Sequence, residues 1–220
     1  MKFTDKVETA KELIEDTLGK YERVAVACSF GKDSMVVLHL ALQVNPYIPV
    51  FSIMTPFKFK ETFEYKDKIT QDWNLNIKTY IRSELVVDGD ETPWLNPEKC
   101  CGYYKVDMTR EAVKGLDAWI CGLRRTEGET RVNYDFIEEK GGLVKINPIL
   151  DFTELDVWRY LALNNIPVHL KYAEGYRSLG CEPCSHKEDD EAEPERAGRW
   201  LGTSKCGGEC GIHTQQLVKR

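Results

Sequence analysis

The residues best suited to chemistry in this chain are eight cysteines, at Cys28, Cys100, Cys101, Cys121, Cys181, Cys184, Cys206 and Cys210. Cys100 and Cys101 are adjacent, and Cys181 and Cys184 form a CxxC pair. Four such thiolates could close a zinc site, anchor an iron–sulfur cluster or remain buried free thiols. Adjacent cysteines diverge across an extended backbone, which suits a bulky cluster better than a single ion. Lys105, one helical turn beyond Cys101, would offset the charge of a tetrathiolate centre. Cys210 is set apart in Glu209-Cys210-Gly211-Ile212-His213, where Gly207, Gly208 and Gly211 predict a mobile arm. A thiol brought beside arginines on such an arm has a lowered pKa and becomes a nucleophile. Cys206 is a candidate resolving thiol and His213 a candidate assisting residue. Cys28 and Cys121 fall in apolar runs and read as small buried hydrophobes.

A second kind of chemistry is anion binding. Ser29, Phe30, Gly31, Lys32, Asp33 and Ser34 form a loop between an apolar strand candidate and an apolar helix candidate. A helix start there offers unpaired N–H groups and the positive end of the dipole. Gly31 permits close backbone approach, the serines add hydroxyls and Lys32 adds a charge, so a phosphate or sulfate site is expected. The loop differs from GxxxxGK[ST], having no glycine five residues before Gly31. Arg124 and Arg125, with Arg131 just beyond, follow another apolar strand candidate, and Arg196 and Arg199 add charge from the tail. Guanidinium forks match oxyanions. Together these groups predict a small, doubly anionic substrate in a focused cleft.

The elements that must position them alternate. A helix over 4–18, a strand at 23–28, the loop with its helix, strands at 49–54 and 75–81 and a helix at 60–72 are expected. A helix over 103–115, a strand at 118–122, a polar connection, the run KINPIL and a helix from about 154 continue the pattern. Thr153 and Asp156 form a capping-box signature. This order predicts an α/β fold with a doubly wound, mostly parallel sheet flanked by helices, like that of adenine nucleotide α-hydrolases. Residues 1–174 read as a nucleotide-binding core and 175–220 as a cysteine-rich tail packed on the same domain. The charge cluster at 186–195 reads as a solvated loop. With 220 residues, 42% apolar and 30% charged, the chain is globular rather than disordered. No apolar run reaches the roughly 20 residues of a membrane span. The net charge of −6 argues against a non-specific nucleic-acid surface. The start has no apolar core of a secretory signal, so a cytoplasmic location is expected rather than an exported disulfide scaffold.

Several pieces carry a resemblance. They are Cys100-Cys101 with Lys105, Trp119-Ile120-Cys121-Gly122-Leu123-Arg124-Arg125, Asn147-Pro148 followed by Asp156-Val157-Trp158, the segment 175–184, Arg196-Ala197-Gly198-Arg199-Trp200 and the terminal Glu209-Cys210-Gly211-Ile212-His213. Through them the chain resembles the assimilatory sulfonucleotide reductases, most closely the iron–sulfur adenylyl-sulfate (APS) reductase branch. The resemblance implies a [4Fe–4S] cluster on Cys100, Cys101, Cys181 and Cys184, a catalytic Cys210 and sulfate-facing Lys105, Arg196 and Arg199. It implies thioredoxin-dependent reduction of adenylyl sulfate to sulfite and AMP through a Cys210 thiosulfonate, in a cytoplasmic homo-oligomer. The alternatives are phosphoadenylyl sulfate (PAPS) as substrate, an ATP-dependent sulfur transferase acting on tRNA or DNA, a protein like the small subunit of ATP sulfurylase, and a non-catalytic redox partner. Three features depart from the reductase pattern. The Gly31-Lys32-Asp33-Ser34 loop resembles that of ATP pyrophosphatases, Met54-Thr55-Pro56 stands where the family often has Asp-Thr-Gly, and Cys206 is an additional thiol.

Overall fold

The computed structural model describes residues 1–83, 92–187, 194–206, 208–215 and 217–218. The acidic stretch 188–193 and Gly207 lie outside the described residues. Phe3–Lys20 (α1) leads into Val24–Ala27 (β1), Lys32–Val44 (α2), Val50–Met54 (β2), Lys60–Asp72 (α3) and Ile77–Ile81 (β3). Pro97–Cys101 (α4), a π-helical turn at Gly102–Val106 and Asp107–Ala112 (α5) precede Ala118–Ile120 (β4). Ile137–Lys140 (β5), Leu143–Ile146 (β6), Glu154–Leu163 (α6) and Gly211–Thr214 (α7) complete the order.

The strands form one sheet in the order β3-β2-β1-β4-β6-β5, parallel except for the β5–β6 hairpin. This is the expected mostly parallel α/β fold. Both faces of the sheet are covered, as parallel strands require, and alternate residues feed two cores. Val24, Val26, Val50, Met54 and Ile120 pack with Ile14, Leu38, Leu40, Val157 and Leu161 from the helices of one side. Ala25, Phe51, Trp119 and Leu143 pack with Val106, Val113, Leu150 and Leu217 on the other. Each such aliphatic side chain, fully buried, contributes about 1.5–3 kcal/mol. Lys6 on α1 pairs with Asp156 on α6 at 2.6 Å. The Thr153–Asp156 capping box forms reciprocally, Asp156 N donating to Thr153 Oγ1 at 3.2 Å and Thr153 N to Asp156 Oδ2 at 2.9 Å.

Two elements differ from expectation. The helix expected over 103–115 starts earlier, because Asn96 caps it through Lys99 N and Pro97 occupies its first turn. Cys100 and Cys101 therefore sit in a helix rather than before one. The polar connection contains β5, an edge strand whose charged sequence IEEK hides it. Its partner β6 is reached through Gly141 and Gly142, both at positive φ, as a tight hairpin turn demands.

The strand order reverses at β1, so the carboxyl ends of β1 and β4 open side by side. In open α/β sheets that is where ligands bind. Gly122, just past β4, lets the two loops meet: a Cβ there would lie 2.8 Å from the backbone of Asp33.

Candidate active site

The loop after β1 is built tightly. Ser34 Oγ donates to Gly31 O at 2.8 Å, and Ser29 Oγ lies 3.2 Å from Ser34 Oγ. Lys32 N donates to Tyr172 Oη at 2.8 Å. Phe30 adopts a left-handed conformation (φ 61°) and is turned into the core, edge-on to Tyr65. The loop's charges are engaged within the protein. Lys32 is buried, donating to Arg177 O and pairing with Glu195, each at 2.6 Å. Arg124 is fully buried and bridges Asp33 and Glu195 at 2.5 Å each. Burial pushes the Asp33 carboxyl up, but Arg124 and Lys32 outweigh it and hold the group below its ordinary value.

Above this loop lies a cavity of about 210 Å3. It gathers Ser29, Gly31, Lys32, Asp33 and Ser34 with Lys105, Arg131, Arg196, Arg199, Cys210 and His213. Phe30, Arg124, Arg125, Cys206 and the four cysteines Cys100, Cys101, Cys181 and Cys184 do not line it. Arg125 faces away, onto Asp151 and the Tyr134 carbonyl. Cys206 is exposed.

The segment around Cys210 enters this cavity from the C-terminal tail. Gly211 passes so close to Val106 that a Cβ would stand 2.8 Å from its Cγ2. Glu209 anchors the arm to Arg131, whose Nε and Nη2 donate at 2.5 and 3.0 Å. Cys210 is half-buried. The Cys101 thiol donates to it, Lys105 faces it and the Ile212 amide adds a hydrogen bond, which together hold Cys210 below the ordinary thiol value despite burial. It is therefore a thiolate near neutrality, the form that attacks. His213 stacks on Trp119, with centroids 6.3 Å apart and planes 7° off parallel. Burial pulls its pKa down to about 3, so it is neutral, and its Nδ1 is buried without a partner.

The cations divide into two sets. Arg131 and Arg196 are occupied by Glu209, and Arg131 also by Glu127. Arg199 donates to Cys184 O at 3.2 Å and Ser178 Oγ at 3.4 Å, held against Gly180, where any Cβ would collide with its guanidinium. Lys105 and Lys58 have no carboxylate partner among the described residues. Burial lowers the Lys58 pKa to about 8, with Lys105 and Arg199 adding repulsion.

The [4Fe–4S] cluster expected on Cys100, Cys101, Cys181 and Cys184 is corrected by the thiol arrangement. Among the described residues, the one group of three or more metal-ligating atoms lying within 4.8 Å of one another is Asp33, Glu127 and Glu195, with no cysteine in it. Two of the four thiols have protein partners instead: Cys181 Sγ lies 3.1 Å from Thr55 Oγ1, and the Cys101 thiol donates a hydrogen bond to Cys210. These residues do not fit the cluster. The acidic trio is itself interleaved with Lys32, Arg124 and Arg131, which neutralise it.

Sequence reasoning missed Lys58, Tyr172, Thr109 and the Ser178–Gly180 wall, all lining the cavity. Lys58 had a signal, since it follows β2 at the same sheet edge as the loops that were singled out. Tyr172 had none, being brought in from a distant turn at 170–174.

The family profile described as "Phosphoadenosine phosphosulfate reductase domain" matches residues 23–187. An adenosine 5′-phosphosulfate reductase of Rhodococcus erythropolis is 35% identical over 222 residues, 93% of this chain and 88% of that protein. One from Bacillus cereus is 34% identical over 220 residues, 96% of this chain and 93% of its own. The crystal structure of a phosphoadenylyl-sulfate reductase from Candida auris, in a phosphate complex, superposes with a TM-score of 0.70 at 20% identity, covering 80% of this chain and 89% of that one.

Proposed function

This chain belongs to the phosphoadenosine phosphosulfate reductase family, and from that premise we propose that it reduces adenylyl sulfate to sulfite and AMP through a thiosulfonate on Cys210. It is an oxidoreductase acting on a sulfonucleotide; the choice of nucleotide and the covalent step are our reading. The observation that carries the step is Cys210 lining one cavity with Lys105, Arg196, Arg199 and the loop after β1, where the Cys101 thiol and Lys105 favour its thiolate.

The nucleotide lies across the carboxyl edge of the sheet, its α-phosphate at the backbone of Ser29 to Ser34. Its sulfate points to Lys105 and Arg199. The Cys210 thiolate attacks sulfur, an S–S bond forms, and the S–O bond breaks with its electron pair passing to the phosphate oxygen, so AMP leaves. The cations stabilise that charge as it develops. A dithiol carrier of the thioredoxin kind then attacks Cys210 Sγ, releasing sulfite. Its second thiol closes the carrier's disulfide and frees Cys210, and the carrier thereby supplies both electrons. Residues 175–220 act in this scheme as the segment that delivers the nucleophile to the 1–174 core.

Adenylyl sulfate is favoured over its 3′-phosphorylated form by the names of the R. erythropolis and B. cereus relatives. The cation distribution agrees: the two lysines without a carboxylate partner both act on Cys210. A 3′-phosphate would need a cation elsewhere. Mixing enzyme with adenylyl sulfate and no reductant should place one SO3 group on Cys210, and Cys210→Ser should carry none. An adduct on another residue sinks the assignment. The kcat/KM for adenylyl sulfate should exceed that for phosphoadenylyl sulfate by at least about tenfold.

A further inference from the structure

Lys58 stands in the turn between β2 and α3, where its backbone bridges that of Cys181. The neighbouring Phe57 carbonyl accepts from Glu182 N at 2.7 Å, which ties the turn to the tail. Its side chain lines the cavity. Among the described residues the ammonium makes no ion pair, whereas Lys32, Arg124, Arg131 and Arg196 each pair with a carboxylate. Its charge acts on Cys28, at the start of the anion loop, and it is itself acted on by Cys210, Lys105 and Arg199. Lys58 thus shares one cavity with the loop that would hold the α-phosphate and with the thiol that would attack sulfur. Retaining a half-buried ammonium beside two other cations is costly unless an anion completes the set.

We propose that Lys58 is a substrate-anchoring residue whose ammonium binds the phosphosulfate linkage and stabilises the phosphate as it leaves. This deepens the reductase reading and rests on it. The linkage carries one negative charge on phosphate and one on sulfate. When the S–O bond breaks, the bridging oxygen keeps the electron pair and the phosphate becomes a dianion. A cation at the junction binds that product state more strongly than the substrate, which is the condition for lowering the barrier. Lys105 and Arg199, which line the same cavity, are left to hold the sulfonyl oxygens.

The test compares Lys58→Met and Lys58→Arg with wild type in two measurements. The first is equilibrium binding of 5′-AMP and of adenosine, which share the nucleoside and differ by the phosphate. AMP binding to Lys58→Met should weaken at least tenfold with adenosine unchanged within twofold, and Lys58→Arg should recover most of the loss. The second is kcat/KM for adenylyl sulfate, expected to fall about 100-fold in Lys58→Met. AMP affinity within twofold of wild type, or equal weakening of AMP and adenosine, overturns the proposal. If wild type releases no sulfite from either sulfonucleotide, the reductase reading fails on its own, while the ratio of AMP to adenosine affinity still decides whether Lys58 holds a phosphate.

Discussion

At Glu209 a single carboxylate accepts from Arg131 twice, from Arg196 at 3.3 Å and from the amide of Cys210 at 2.7 Å. Burial pushes this carboxyl up, but the Arg131 hydrogen bonds and charge hold it well below the usual carboxylate range. The residue before Cys210 is therefore ionised, and it fixes the Cys210 amide. Neutralising Glu209 leaves Arg131 with Glu127 alone and takes from Arg196 the carboxylate it pairs with, and breaking a buried pair costs about 3 kcal/mol. Glu209→Gln should lower stability by roughly that amount in chemical denaturation. It should also slow single-turnover adduct formation on Cys210 by at least about tenfold, because the amide no longer holds Arg131 as an ion pair. An unchanged adduct rate would show that the pair supports the fold alone.

His169 ties two elements together. Its Nδ1 accepts from Lys171 N at 3.2 Å, capping the turn at 170–174, and its Nε2 lies 3.0 Å from Thr62 Oγ1 on α3. With Nδ1 accepting, the ring is neutral and Nε2 carries the proton. Burial, helped by the charge of Lys58, lowers its pKa from 6.5 to about 4. Because the folded value is depressed, the unfolded chain takes up a proton first as pH falls. The stability from the neutral ring is complete above about 6.5, declines by up to about 1.4 kcal/mol per pH unit and is lost by about 4. Thermal unfolding between pH 7 and 4 should therefore show a shallower acid decline in His169→Gln than in wild type, and identical slopes would remove His169 from the account. This contact lay beyond sequence reasoning, since nothing local to His169 predicts Thr62. The strands β1, β2 and β4 were legible because strands buried on both faces must be continuously apolar, and α6 because its cap is written in Thr153 and Asp156. The charged edge strand β5 and the π-helical turn were not, being decided by pairing and packing. At the site, chain position revealed Cys210 and the loop, but not that Lys32 and Arg124 would be neutralised by Glu195, 71 or more residues away.

Over the whole molecule, one sheet edge collects the loop after β1, the turn after β2, the segment after β4 and the tail. No helix among the described residues is long and apolar enough to cross a membrane. The fold could serve a nucleotide triphosphate as readily as a sulfonucleotide, and the Gly31-Lys32-Asp33-Ser34 loop invites that reading. Its lysine, however, is held by Glu195 and the Arg177 carbonyl, and its aspartate by Arg124. We expect no exchange of labelled pyrophosphate into ATP, alone or with sulfate, tRNA or DNA present; robust exchange would overturn the reductase reading. The tail also has a temporal meaning. Leu217 is seated in the core on one side of Cys210, and Trp200 is buried on the other. A strand of chain tethered at both ends cannot swing open like a door; it can only bow outward between its tethers. Under the proposed mechanism, a group carried on the half-buried sulfur would be sheltered from water and stray thiols until something large enough to hold the bowed arm arrives, and the pace of turnover would pass from bond-making to the meeting of two proteins.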